Sequence, residues 1–236
     1  GQYLRLHPVS LATGFYATDQ QAWWGAPQTG LCDQFANTGN GYGFIVEGVQ
    51  YGPGLLASGT SWQSGRQHKE IMSNMRYAST LIAVTRDRGH GQVTLDESDA
   101  SVPMYPINDE LDQHNLRFGL AEIIRIHEAA GAREIHCAVR DGLVWTHGED
   151  LEAFIQKALA FPLGAGGQMI YSAHQMGSCR MGKDHATSVA NPWGELHDTP
   201  GVWIGDGSAF PTAPGTNPMI SIMALARRTA EAIAAS

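Results

Sequence analysis

Apolar and polar residues alternate in the middle of the chain in short runs that are typical of β-strands. Residues 78–86 and 92–95 form two such runs, and the turn residues 87–91 between them favour a β-hairpin with a longer loop. Residues 103–107 predict a further short strand, and residues 133–139 predict another. The middle of the chain is therefore expected to contain a β-sheet.

Apolar positions at helical spacing predict one long helix between these strands. Asn108 is the expected N-cap, and Asp109 and Glu110 lie in the first turn, where the helix dipole favours acidic residues. Gly131 is expected to end the helix. The predicted buried face carries Leu116, Leu120, Ile123, Ile124 and His127.

Two more helices are predicted from their start signals. Residues 146–149 match a capping box, which would open a helix that runs to about residue 160. Asn217 and Pro218 combine a favoured N-cap with a proline at the first helical position, and they predict the start of the final helix. The apolar run 202–204 is consistent with a short buried strand.

Residues 25–66 are rich in Gly, Ser, Asn and aromatic residues and are predicted to form loops around one short strand at 44–46. The aromatic side chains in and just before this region have two open interpretations, as contacts for an apolar ligand or as parts of the core. They are Trp23, Trp24, Tyr42 and Phe44.

Composition narrows the class of protein. A chain of 236 residues that is 43% hydrophobic can bury a sizeable core and suggests one or two globular domains. Its net charge of -8 argues against nucleic acid as the main partner, because no basic excess is available to displace counterions. The cysteines Cys32, Cys137 and Cys179 form no C-x-x-C pair, so neither a disulfide framework nor a cysteine-rich zinc site is indicated and a reducing compartment is expected.

The sequence shows no targeting signal, and the expected location is therefore the cytoplasm or the periphery of a membrane. No apolar stretch approaches the length of a membrane helix, so no integral membrane segment is expected. Residues 1–8 lack the pattern of a signal peptide, and they also lack an initiator Met. The chain is therefore expected to be processed, trimmed or a fragment of a longer product.

Two segments carry candidate chemistry. Residues 171–182 place His174 in a turn rich in Gly and Ser, and a histidine titrates near neutral pH, as a general base requires. Residues 205–219 combine an irregular glycine loop with a helix start, whose free N–H groups favour negative charge or the edge of a flat ligand.

Two hydrolytic alternatives compete with this interpretation and fit the sequence poorly. A zinc site would use His174, Cys179, His185 and His197, but their spacing matches no standard zinc pattern, so no metal is expected. A serine hydrolase would combine Ser172 or Ser208 with His174 and Asp206, but no Gly-x-Ser-x-Gly elbow is present.

The same two segments resemble the C-terminal signature of the glucose–methanol–choline (GMC) oxidoreductases, which are flavoproteins. Residues 174–182 match the family's His-x-x-Gly…Met-Gly motif, and residues 205–208 with Asn217-Pro218 match its closing flavin-contact motif. Residues 4–8 resemble the stretch after the family's flavin-binding middle section, so the resemblance covers essentially the whole chain. It is closest to the long-chain alcohol oxidase and sterol oxidase branches.

The resemblance implies an α+β fold: an antiparallel-sheet substrate domain with helices, followed by the C-terminal strand and helix of an FAD-binding α/β domain. Residues 1–12 would be a remnant of the middle section of the flavin domain. Residues 13–170 would form the substrate-binding domain, and residues 171–236 the C-terminal part of the flavin domain with the catalytic motif.

Residue roles follow from the resemblance by position. His174 would accept the hydroxyl proton of a small-molecule alcohol while hydride passes to N5 of FAD, and Asn217 would orient the hydroxyl. Asp206 and Gly207 would hold the ribityl–phosphate portion of FAD. The start of the final helix would face the flavin ring through Pro218, Met219 and Ile220.

Glu47 resembles the pocket carboxylate of sterol oxidases, which lies across the substrate from the histidine. A buried carboxylate beside a histidine could move protons, because burial raises its pKa. The alternative is an exposed loop glutamate beside Gly48.

One departure from the family pattern changes what the chain is expected to do. Relatives begin with a Rossmann unit that carries Gly-x-Gly-x-x-Gly, and this motif is absent, since residues 39–43 have the wrong spacing. The chain is therefore expected to be incomplete and inactive alone, with a second chain as one source of the Rossmann half. The alternative function is a lipid- or sterol-binding remnant without turnover.

Overall fold

The computed structural model describes residues 1–236 and combines two antiparallel sheets with helices, which confirms the α+β class. The strands are β1 (Gln2–Leu4), β2 (Val9–Phe15), β3 (Leu31–Cys32), β4 (Phe44–Val49), β5 (Ala78–Thr85), β6 (Gly91–Leu95), β7 (Ser101–Met104), β8 (Glu134–Cys137) and β9 (Val144–Thr146). The α-helices are α1 (Pro53–Gly59), α2 (Gly65–Ser73), α3 (Glu110–Ala129), α4 (Leu151–Leu159) and α5 (Met219–Ala235). Short 3₁₀ helices cover Met75–Tyr77 and Gly207–Ala209.

The chain divides into two compact units, each built from separate stretches. The sheet unit comprises residues 8–85 and 113–171, and the motif unit comprises residues 1–7, 86–112 and 172–236. The three-segment division drawn from the sequence, at residues 12 and 170, stays a prediction about domains.

A six-stranded antiparallel sheet in the order β3-β4-β5-β2-β8-β9 organises the sheet unit. The long helix α3 and the helix α4 contribute to the same buried cluster as alternate residues of the central strands, so they cover one face of the sheet. All five positions predicted for the buried face of α3 are buried. Helical periodicity therefore identified the core side of α3 correctly.

The predicted hairpin of residues 78–95 is wrong in its pairing. Its first strand, β5, pairs with β2 and β4 in the six-stranded sheet. Its second strand, β6, pairs with β1 and β7 in a separate three-stranded sheet of the motif unit. Alternation identified both strands, but a strand's partner depends on contacts distant in sequence.

Helix starts also differ from the predictions. Asp109, and not Asn108, accepts the first-turn N–H groups of Leu111 and Asp112, at 3.0 and 3.2 Å. The glutamate of the predicted capping box, Glu149, accepts the N–H of Thr146, yet α4 begins five residues later than Thr146, behind the N-cap Asp150.

The loop region 25–66 and the run 202–204 were also predicted incompletely. The helix α1 and the first residues of α2 lie within 25–66, with a proline in the first turn of α1 and Ser64 capping α2. Residues 202–204 form no strand, and Trp203 makes only an isolated bridge to Glu195.

Gly14 in β2 is required by close packing. A Cβ atom there would lie 2.5 Å from Nδ1 of the buried His127, whose ring is held by the Tyr16 hydroxyl at 2.7 Å and the Ala12 carbonyl at 3.1 Å. We expect Gly14→Ala to lower the free energy of unfolding by about 1–3 kcal/mol, because the held ring cannot move aside without losing a hydrogen bond. Urea unfolding measures this loss.

Gly48 in β4 is the matched control for this prediction. A Cβ atom at this position would meet nothing within 4 Å. Gly48→Ala should leave stability unchanged or raise it slightly, because alanine restricts the unfolded chain. Equal losses for the two variants would contradict the packing argument.

Candidate functional site

Backbone hydrogen bonds in the motif unit bring the two sequence motifs together. The N–H groups of Gly177, Cys179 and Met181 donate to the carbonyls of Gly207, Ser208 and Ala209, at 3.3, 3.0 and 2.9 Å. On the other side, Arg5 and Met176 exchange two backbone hydrogen bonds of 2.8 and 2.9 Å. The His174 segment is therefore held between the start of the chain and the 207–209 turn.

The glycine of the His-x-x-Gly motif is explained by this arrangement. Gly177 has φ +79°, and a Cβ atom there would lie 2.5 Å from the Tyr3 carbonyl oxygen. Any other residue would be strained in its backbone and would push the two segments apart. Gly207 is buried, and a Cβ atom there would lie 3.2 Å from the carbonyl oxygen of Gln175.

His174 is half-buried, and burial lowers the pKa of its imidazole, so the ring is neutral at physiological pH. Its Nδ1 lies 3.2 Å from Nδ1 of His7. Its backbone N–H donates to Oγ of Ser172, and this hydroxyl donates to the carbonyl of Leu6. Because the proton of Ser172 is directed at a backbone carbonyl, the structure does not support Ser172 as a nucleophile activated by His174.

His7 is a member of this site that the sequence did not single out. It is fully buried, its φ is +47°, and its Nε2 accepts the N–H of Gly215 at 3.0 Å. Burial, with smaller effects from His174 and the Arg86 charge, lowers the pKa of His7 to about 4. The only local signal was its place in residues 4–8, which resemble a family segment.

A buried carboxylate fixes the backbone of His7. Asp87 accepts the N–H groups of Leu6 at 2.9 Å and of His7 at 3.2 Å, and it accepts the hydroxyl of Tyr105 at 2.7 Å. Burial raises the pKa of Asp87, while these three donors oppose the rise. Asp87 therefore holds a left-handed backbone conformation in place at the site.

The final helix begins one residue later than predicted. Pro218 occupies the N-cap position of α5 and no side chain caps the helix, so the prediction that Asn217 is the N-cap is wrong. Asn217 lies in the same compact unit as His174. Met219 and Ile220, in the first turn of α5, are 61% and 70% exposed.

Asp206 and Gly207 begin the 3₁₀ turn that precedes the loop leading to α5. Asp206 is exposed, and its Oδ1 accepts the N–H of Ser208 at 2.7 Å, which caps the 3₁₀ turn. The carboxylate still has acceptor capacity toward solvent. The turn therefore places the exposed carboxylate of Asp206 next to the closely packed backbone of Gly207.

Glu47 lies in the sheet unit, on β4, opposite Ile82 of β5 and Leu31 of β3. It is only 4% exposed, so the alternative of an exposed loop glutamate is wrong. The structure does not bring Glu47 into the same compact unit as His174.

The aromatic candidates separate into core and surface. Phe44 stacks on Phe35 and meets the edge of Phe118 in the core. Trp23 and Trp24 are exposed, at 40% and 76%. Of the four aromatic candidates, the structure therefore assigns Phe44 to the core.

An open cleft of about 890 Å³ in the sheet unit was not predicted. It is lined by residues of the segments 57–62 and 164–171, together with Arg140. Trp62, Met169 and Tyr171 provide apolar surface, and no carboxylate lines the cleft. It is large enough for a small organic molecule.

No group of three or more His, Cys, Asp and Glu side chains is arranged to hold a metal ion. The four residues of the hypothetical zinc site are therefore not gathered into one cluster. No helix combines the length and apolar character needed to cross a membrane.

Comparison with known proteins identifies the family of this chain. A family model described as GMC oxidoreductase matches residues 87–226. The chain is 31% identical to the long-chain-alcohol oxidase FAO4A of Arabidopsis thaliana over 239 residues, which are 96% of this chain and 32% of that protein. It is 46% identical to paromamine 6'-oxidase of Streptomyces fradiae over 63 residues, which cover 27% of this chain and 12% of that protein.

Solved structures agree on the fold. The formate oxidase of Aspergillus oryzae RIB40 superposes with a TM-score of 0.65 at 15% identity, covering 100% of this chain and 47% of the other. Compared with the long-chain-alcohol oxidases that it matches, the chain spans about a third of their length.

Proposed function

Because this chain belongs to the GMC oxidoreductase family, we propose that it forms part of an FAD-dependent enzyme that oxidises an apolar alcohol to its carbonyl product. Its relatives include long-chain-alcohol oxidases, which supports an alcohol as the substrate class. The observation that carries the proposal is the placement of His174, a half-buried imidazole whose pKa is lowered by burial, in the segment that is hydrogen-bonded to the 207–209 turn.

The residues assigned to FAD suit that cofactor in their chemistry. The first turn of a 17-residue helix attracts negative charge, and the exposed side chains of Met219 and Ile220 there offer apolar surface to a flat ring. Asp206 and Gly207 offer an acceptor and a close backbone for a polyol chain. When bound, FAD supplies the hydride-accepting chemistry.

His174 manages the substrate proton in this proposal. Its Nδ1 is directed at His7, so Nε2 is the nitrogen available to a substrate hydroxyl. The base form of His174 accepts the hydroxyl proton at Nε2, and the amide of Asn217 orients the hydroxyl. The assignment of Glu47, a buried carboxylate of the sheet unit, to the substrate pocket rests on the family resemblance alone.

The cleft of the sheet unit has a mixed polar and apolar lining, so the choice of an apolar alcohol rests on the long-chain-alcohol oxidase relatives. Its lining combines Trp62, Met169 and Tyr171 with small residues and carries one cation, Arg140.

The test is the visible absorption spectrum of the enzyme that contains this chain, after incubation with FAD and desalting. We expect retained flavin bands that bleach without oxygen when a long-chain primary alcohol is added, and that persist when glycerol is added. A desalted protein without flavin bands would contradict the cofactor assignment. Retained bands that no alcohol bleaches would favour the lipid- or sterol-binding alternative.

A further inference from the structure

We propose that His7 is a positioning residue that fixes the proton of neutral His174 on Nε2, through a chain of hydrogen bonds that begins at Gly215. This inference deepens the proposed function, since it concerns the state of the residue assigned to proton transfer. It rests on three groups of the motif unit: the Gly215 N–H, the His7 ring and the His174 ring.

The first step fixes the tautomer of His7. A backbone N–H can only donate, so the 3.0 Å contact from Gly215 requires Nε2 of His7 to be unprotonated. A neutral imidazole carries one proton, which must then lie on Nδ1. A cationic His7 would set an Nε2–H against the Gly215 N–H, and the lowered pKa of His7 agrees that the ring is neutral.

The second step fixes the tautomer of His174. Nδ1 of His7 lies 3.2 Å from Nδ1 of His174, with the two rings nearly perpendicular at 86°. Because His7 donates from Nδ1, His174 must accept at Nδ1. The proton of neutral His174 therefore lies on Nε2, where the ring is a hydrogen-bond donor.

The surroundings leave His7 little freedom to change this arrangement. Its backbone N–H is held by the buried Asp87, and its φ of +47° allows few alternative conformations. Gly215 is also restrained, since Nε of the neighbouring Arg86 donates to the carbonyl of Ala213 at 3.0 Å. The backbone of His7 and the Gly215 donor are thus both held in place.

The consequence concerns base catalysis. In its resting tautomer His174 donates from Nε2 and can hold an oxygen atom, but it cannot accept a proton there. The base form carries its proton on Nδ1, which requires His7 to accept at Nδ1 and to abandon its bond from Gly215. The His7–Gly215 contact therefore limits how much of His174 is competent as a base.

The test determines which ring nitrogens are protonated, by long-range ¹H–¹⁵N correlation NMR of the histidines in this chain. Protonated and unprotonated ring nitrogens resonate in separate ranges, so each tautomer is read directly. We expect Nδ1 unprotonated and Nε2 protonated in His174, and the reverse in His7. A protonated Nδ1 in neutral His174 would overturn the inference.

Two variants test the two hydrogen bonds of the His7 ring separately. His7→Asn keeps an amide N–H near the position of Nδ1 and tolerates the left-handed backbone, so the tautomer of His174 should be retained. His7→Gln can place its carbonyl near the position of Nε2, facing Gly215, and has no donor at Nδ1. There the Nδ1-protonated form of His174 should rise at least several-fold, whereas an unchanged tautomer would overturn the role of His7.

This readout does not depend on turnover. If the enzyme fails to oxidise alcohols but His174 shows the expected tautomer, the proposed function fails and the inference stands. If flavin bleaching occurs while His174 is protonated on Nδ1 at rest, the inference fails and the function stands. The wild-type measurement decides the inference even if His7→Gln does not fold.

Discussion

Replacing His174 by Ala should lower the rate of alcohol oxidation by about 10²–10⁴-fold, the usual contribution of a general base. The ring makes one polar contact in the motif unit, with His7, and the segment around it is held by backbone hydrogen bonds that alanine keeps. The fold should therefore survive while proton transfer is lost. The measurement is the rate of flavin bleaching by a long-chain alcohol without oxygen.

His185 provides the matched control in the same unit. It is exposed, and its ring approaches only that of His197, with 6.4 Å between the ring centroids. His185→Ala should leave the bleaching rate unchanged. If His174→Ala bleaches as fast as His185→Ala, His174 does not act as the base.

Replacing Asp87 by Ala should lower the free energy of unfolding by about 3–5 kcal/mol, because three donors lose their buried acceptor. The carboxylate is fully buried and accepts from the backbone of Leu6 and His7 and from the hydroxyl of Tyr105. An unpaired buried donor costs about 1–3 kcal/mol. The free energy of unfolding comes from urea titration at neutral pH, with the m value checked for two-state behaviour.

Two variants calibrate this loss. Tyr105→Phe removes one donor and leaves the other two satisfied, so its cost should be about 1–2 kcal/mol. Asp96 also accepts three hydrogen bonds, from the N–H and hydroxyl of Ser98 and the N–H of Ala100, but it is exposed. Asp96→Ala should cost far less than Asp87→Ala, because water replaces its bonds; equal losses would contradict the role given to burial.

Local patterns in the sequence determined much of the sheet unit. Leu116, Leu120, Ile123 and Ile124 recur at helical spacing and all are fully buried in α3. Strand signals located β4, β5 and β8 of the sheet unit, and β6 of the motif unit, to within a few residues, whereas β2 of the large sheet was not predicted. These features follow from periodicity, which depends only on neighbours along the chain.

The family was also readable from the sequence. The His174 motif and the 205–218 motif are short, specific and continuous or nearly so, and the family match over residues 87–226 agrees with them. The roles of individual residues within the motifs stay predictions.

Only the tertiary structure determined which strands pair and which distant side chains form hydrogen bonds. β5 and β6 are neighbours in sequence but belong to different sheets, because pairing depends on β2 and β1, more than 60 residues earlier. His7 and His174 are 167 residues apart, and Asp87 reaches back 80 residues to His7. Hydrogen bonds and buried charges of this kind are set by where the folded backbone places each group, which local periodicity does not encode. The sequence by itself therefore determined the family and the elements with strong local periodicity, such as α3 and β5, and the fold determined which distant residues meet, such as His7 and His174.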